Sequence, residues 1–69
     1  MLTYEIEVSY DDGRCYKADT TDSASAERAI RDLESRSDVM AFAVSLIDAG
    51  RAWATQVYRD GKVTVYANN

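Results

Sequence analysis

The sequence predicts an α+β fold: a single five-stranded antiparallel sheet with one helix packed on one face, in the order β-β-α-β-β-β. Three observations carry this expectation. Leu2, Tyr4, Ile6, Val8 and Tyr10 alternate with Thr3, Glu5, Glu7 and Ser9, the period of a half-buried strand. Ala26, Ala29, Ile30 and Leu33 recur at i, i+3, i+4 and i+7, one narrow apolar stripe on a helix. Residues 39–47, V-M-A-F-A-V-S-L-I, make the one long apolar run, the right length for a buried strand and too short to span a membrane.

The strands follow in order. After the first, Asp11-Asp12-Gly13 is a turn and residues 14–19 return as the second strand. A two-residue turn would set Val8 opposite Lys17 and Ile6 opposite Asp19, charge against the apolar face. A three-residue loop with Gly13 left-handed beside a bulge pairs Val8 with Tyr16, Ile6 with Ala18 and Glu7 with Lys17. The longer loop is therefore expected. Residues 20–23 hold helix-start side chains, with Asp22 or Ser23 as N-cap, and the helix runs to about Ser35. Its outer side offers Glu27–Arg31 and Arg28–Asp32 pairs at i, i+4.

Two further strands, at 52–58 and 62–67, follow the apolar run. A two-residue Ala49-Gly50 turn aligns Leu46 with Trp53, Val44 with Thr55 and Phe42 with Val57. A three-residue loop at Arg59-Asp60-Gly61 then aligns Val57 with Val63 and Thr55 with Val65. On that register Met40, Phe42, Val44, Leu46, Trp53, Val57, Val63 and Val65 lie beneath the helix. Strand order 2-1-3-4-5, with a right-handed crossover through the helix, satisfies the sequence, and so does an order with strand 5 beside strand 1.

Sixty-nine residues make one domain, 1–69, with no linker or repeat. So short a chain buries only about 60% of its unfolded surface. Cys15 is the only cysteine and histidine is absent, which removes an internal disulfide and a structural zinc site. Packing or association must then supply the stability. The first ten residues lack the apolar core of a secretion signal, so a soluble, cytoplasmic protein is expected.

Catalysis finds little material. Without histidine the commonest general base and the histidine triads are missing. Cys15 has no imidazole to activate it, Glu5 and Glu7 have no apolar pocket to shift them, and Asp11-Asp12-Gly13 lacks the spacing of a calcium loop. A non-enzymatic protein without cofactor or metal is expected.

Net charge is −4, and it is unevenly spread. The first 22 residues hold six acids against two bases, whereas residues 39–69 hold two acids against three bases. Such a chain repels phosphates, which argues against direct nucleic-acid binding and permits a basic protein partner. Two surfaces could bind it. The first is the acidic hairpin, where Glu5, Glu7, Asp11, Asp12, Asp19 and Asp22 form a row; carboxylates two residues apart on a strand stand roughly 7 Å apart. Such a row can imitate a nucleic-acid backbone and occupy a groove meant for DNA or RNA. The second is the sheet face away from the helix, rich in alanine and rimmed by tyrosine, with Ala43, Tyr58 and Tyr66 as its markers. It suits a homodimer or docking on a larger protein.

The element order, the helix start Asp22-Ser23-Ala24-Ser25-Ala26 and the ending Trp53…Tyr58-Arg59-Asp60-Gly61-Lys62-Val63 resemble the small type I anti-CRISPR proteins of phages and mobile elements. The resemblance implies a stoichiometric inhibitor that binds a Cas subunit of a surveillance complex and blocks recognition of target DNA. In place of the lysine-rich binding surfaces of some proteins of that shape, this chain is acidic, which favours a DNA-mimicking block of a basic, PAM-reading groove. The alternative is a small dimeric regulatory or antitoxin-like interaction module using the alanine-rich face.

Overall fold

The structure, a computed structural model, describes residues 1–67. Five strands and one helix follow the expected order: β1 (Leu2–Tyr10), β2 (Cys15–Thr20), α1 (Ser23–Ser35), β3 (Val39–Asp48), β4 (Arg51–Arg59) and β5 (Lys62–Ala67). They form one antiparallel sheet in the order β2-β1-β3-β4-β5, so β5 lies at the edge and not beside β1. The first hairpin adopts the register that side-chain chemistry demands. Val8 pairs with Tyr16, Ile6 with Ala18 and Glu7 with Lys17, and Gly13 takes φ +90° in the loop.

The helix begins where its first free N–H groups find an acceptor. Asp22 is the N-cap, its carboxylate accepting from Ser25 N at 3.2 Å and from Ser25 Oγ at 2.6 Å. Ala26 and Leu33 are buried, and Ala29 and Ile30 pack beside them. Small residues on the stripe let α1 lie close against the sheet, over β2 and β3. Ile6, Val8, Leu33, Phe42 and Val44 form the core. On the outer side Glu27 pairs with Arg31, while Arg28 donates to Ser25 Oγ.

Two β-bulges change which face the later residues occupy. Ser9 pairs with Ala41 but Tyr10 with Val39, so Met40 is the extra residue and stays 47% exposed, outside the core expected for it. On β4, Ile47 pairs with Ala52 and Leu46 with Ala54, leaving Trp53 as the extra residue. The expected β3–β4 register therefore holds only beside the Ala49-Gly50 turn. Beyond the bulge Phe42 meets Tyr58, Val44 meets Gln56 and Ala43 meets Val57. Trp53, expected in the core, is 51% exposed, with the Arg51 guanidinium 4.9 Å above its ring. What the bulge gains is the parallel stack of Tyr58 on Phe42, with ring centres 4.4 Å apart.

The last turn is also shorter than expected. Arg59 pairs directly with Lys62 across a two-residue Asp60-Gly61 turn. Both turn residues have positive φ, 54° and 74°, the type I′ geometry whose twist matches that of the strands. The shorter turn offsets the Trp53 bulge, so Val63 and Val65 remain on the helix side, opposite Tyr58 and Gln56. They are not buried beneath the helix: they are 51% and 61% exposed.

Candidate binding surface

The open face of the sheet, away from α1, is built row by row from the strand registers. One row runs Lys17, Glu7, Ala43, Val57, Thr64; the next runs Asp19, Glu5, Ser45, Thr55, Tyr66. A hydrogen bond between Ser45 Oγ and Thr55 Oγ1, 3.1 Å, ties β3 to β4 on this side. Ala41 leads to Arg59 and on to Lys62. The face is thus polarised: carboxylates on β1 and β2, a small neutral floor on β3 and β4, cations at the β4–β5 turn.

The acidic pole brings together three of the six carboxylates singled out in the sequence. Glu5 and Asp19 stand directly opposite each other across β1 and β2, and Glu7 follows on the same face. Lys17 is the one cation of these two strands on this side, its Nζ 3.4 Å from Glu5 Oε1. The other three lie elsewhere. Asp11 and Asp12 occupy the turn, and Asp22 caps the helix at the opposite end of β2.

Two of those three are committed to the fold. Asp12 accepts from Arg14 N at 3.0 Å and Arg14 Nε at 2.6 Å, and the backbone N–H bond chiefly holds its carboxyl below the usual value. Asp22 is likewise held low, first by the Ser25 hydroxyl and then by the Ser25 N–H. Near the turn, Arg36 grips Asp38 with two bonds of 3.0 and 2.8 Å, which lowers the Asp38 carboxyl and raises the Arg36 guanidinium. The Arg14 and Arg36 guanidinium groups both lie over the Tyr10 ring, at 5.2 and 5.5 Å.

The second predicted surface is divided. Ala43 and Tyr66 do lie on the open face, Tyr66 being 55% exposed. Tyr58 does not: the Trp53 bulge turns it to the helix side, against Phe42, where its hydroxyl donates to Gln56 Oε1 at 3.0 Å. Burial raises its phenol above the usual value. Val57 takes its place on the floor, a residue the alternation had assigned to the core.

The lowered carboxylates make stability depend on acid. A carboxyl whose folded value lies below the ordinary 3.8 stabilises the fold at higher pH, and that contribution disappears as pH falls through 3.8 toward the folded value. Thermal melts are therefore expected to hold steady to about pH 5 and drop below it. Asp22→Asn keeps an N-cap acceptor but cannot titrate, so its acid limb should be shallower than that of the wild type.

Among the described residues no group of three or more Cys, Asp or Glu side chains is placed to hold a metal ion. No described helix is long and apolar enough to cross a membrane. No protein family model matches the chain, and no curated protein or solved structure matches it.

Proposed function

We propose that this protein is a non-enzymatic inhibitor that lays the acidic half of its open sheet face into a basic, nucleic-acid-binding groove of a partner protein. The observation that carries the reading is the Glu5–Asp19 pair with Glu7 beside it. Like charges directly opposite on neighbouring strands destabilise a sheet, and Lys17, opposite Glu7 and 3.4 Å from Glu5, sets one cation against three carboxylates, leaving an excess of negative charge. A cationic partner would relieve it. Rigid strands present the carboxylates at a fixed spacing, as a phosphate backbone does. Asp11 extends the contact at the turn, while Asp12 and Asp22 serve the fold first.

The resemblance to small type I anti-CRISPR proteins names the first target to test, a Cas subunit that reads target DNA or its PAM. The alternative, a dimeric regulatory or antitoxin-like module on the alanine-rich face, has lost Tyr58 from its surface.

Neutralising the pole separates function from folding. Glu5→Gln, Glu7→Gln and Asp19→Asn combined should leave the melting temperature within a few degrees of wild type, because mutual repulsion and the surface Lys17 contact are both small, about 1 kcal/mol or less. Binding to a purified type I surveillance complex, measured in competition with target DNA, should weaken by at least about tenfold and lose much of its salt dependence. Full inhibition by the neutral variant would rule the acidic mechanism out.

A further inference from the structure

We infer that β5 is a pairing edge, and that its occupant is the β5 strand of a second copy of this chain, joined antiparallel about a two-fold axis at Thr64. This inference does not rest on the acidic-groove reading. All six residues of β5 are exposed, and the strand has neither proline, nor bulge, nor a charge between Lys62 and Ala67. Proteins ordinarily guard a sheet edge with one of these devices or with a covering element. The other edge is guarded: β2 carries Lys17 and Asp19, and α1 lies against it. The contrast marks β5 as an edge left open to a partner.

The hydrogen-bonding geometry selects the occupant. Arg59 and Lys62 flank a two-residue turn and so exchange hydrogen bonds with each other. Alternation along the ladder then points the N–H and C=O groups of Val63 and Val65 outward. An antiparallel copy centred on Thr64 sets Val63 opposite Val65 of the second chain, and Val65 opposite its Val63. Both pairs can exchange two hydrogen bonds. The same register sets Lys62 opposite Tyr66, a cation beside an aromatic ring, with no like charges facing. It also brings the half-exposed Val63 and Val65 of both chains together on the helix side. Pairing β5 with β2 of another copy would instead run on without closing, and would meet the charged edge. A two-fold axis through the β5 edge leaves both acidic poles, three strands away, uncovered.

A single strand pair is a small interface, below the size of about 1,200 Å² at which complexes are usually stable. The expected dissociation constant is about 10 µM to 1 mM. Sedimentation equilibrium of the full chain up to about 2 mM should show the mass rising reversibly toward twice that of one chain. The Val63 and Val65 amides should gain exchange protection with concentration. Val65→Pro removes an outward donor and no bond to β4; Val65→Lys adds a charge to the edge while leaving every backbone donor in place. Each variant should weaken association at least about tenfold, with the far-ultraviolet spectrum retained; if the proline variant fails to fold, the lysine variant decides. A wild-type chain that stays monomeric at the highest concentration would overturn the inference. So would a dimer that survives in the folded lysine variant.

Discussion

Replacing Phe42 with alanine is expected to cost about 3–5 kcal/mol and to leave a large share of the chain unfolded at 25 °C. Phe42 is 4% exposed and touches both layers, stacking on Tyr58 while packing in the cluster with Leu33, Ile6, Val8 and Val44. Its removal leaves a void that a one-helix layer cannot collapse into without moving α1. A domain of 69 residues has only roughly 3–10 kcal/mol to lose. Trp53→Ala makes the contrast. Trp53 is a larger side chain but stands half exposed over Arg51, so about 1 kcal/mol or less is expected. Urea titrations followed by circular dichroism measure both. A Trp53 variant as unstable as the Phe42 variant would mean that the bulge does not exist.

Leu33→Ala is expected to have the next largest effect, about 2–5 kcal/mol. Only Ala26 and Leu33 of α1 are buried, and of the two only Leu33 has a side chain large enough to anchor the helix. A 13-residue helix is marginal in water on its own, so its persistence depends on this contact. The variant should show a lower urea midpoint, with amides of α1 exchanging ahead of those of β1 and β3. Ile30→Ala, at a half-buried site one turn earlier, should cost less. Because Leu33 and Phe42 share one cluster, the double variant should fall short of the sum of the two.

Much of the architecture was legible because neighbouring residues differ sharply in polarity. Along β1 every second side chain is apolar, and the other face carries Glu5 and Glu7, so a one-residue slip would bury charge. The same logic set the first hairpin's loop length, and Asp22 with the Ala26–Leu33 stripe bounded the helix. Strand order followed from pairing neighbours with a single crossover, one of two orders left open. The failures cluster where polarity does not alternate. Both bulges sit in runs such as Val39-Met40-Ala41 and Ala52-Trp53-Ala54, where either face accepts either residue. An extra residue there leaves no trace in the pattern. Arg59-Asp60-Gly61 suits a two-residue or a three-residue turn, and only the backbone angles distinguish them.

The candidate surface was legible to the same degree. Glu5, Glu7 and Asp19 were assigned to one side by alternation, and they share the open face. That Asp12 is held by Arg14 depends on local loop geometry, which spacing does not encode. Tyr58 went to the wrong face because its position inherits the error at Trp53.

The pairing of β1 with β3 divides the chain into complementary halves. Residues on either side of the 36–38 link meet mainly along that seam, where Leu2 faces Asp48 and Tyr10 faces Val39. The first half contains one short-range hairpin and the second half two, whereas the seam joins positions far apart in sequence. Closing it carries the loop entropy of the β2–α1 segment, so seam formation is the step expected to limit the folding rate. The two halves supplied as separate peptides would have to find each other along the same strand pair, and their reassembly would report directly on the seam.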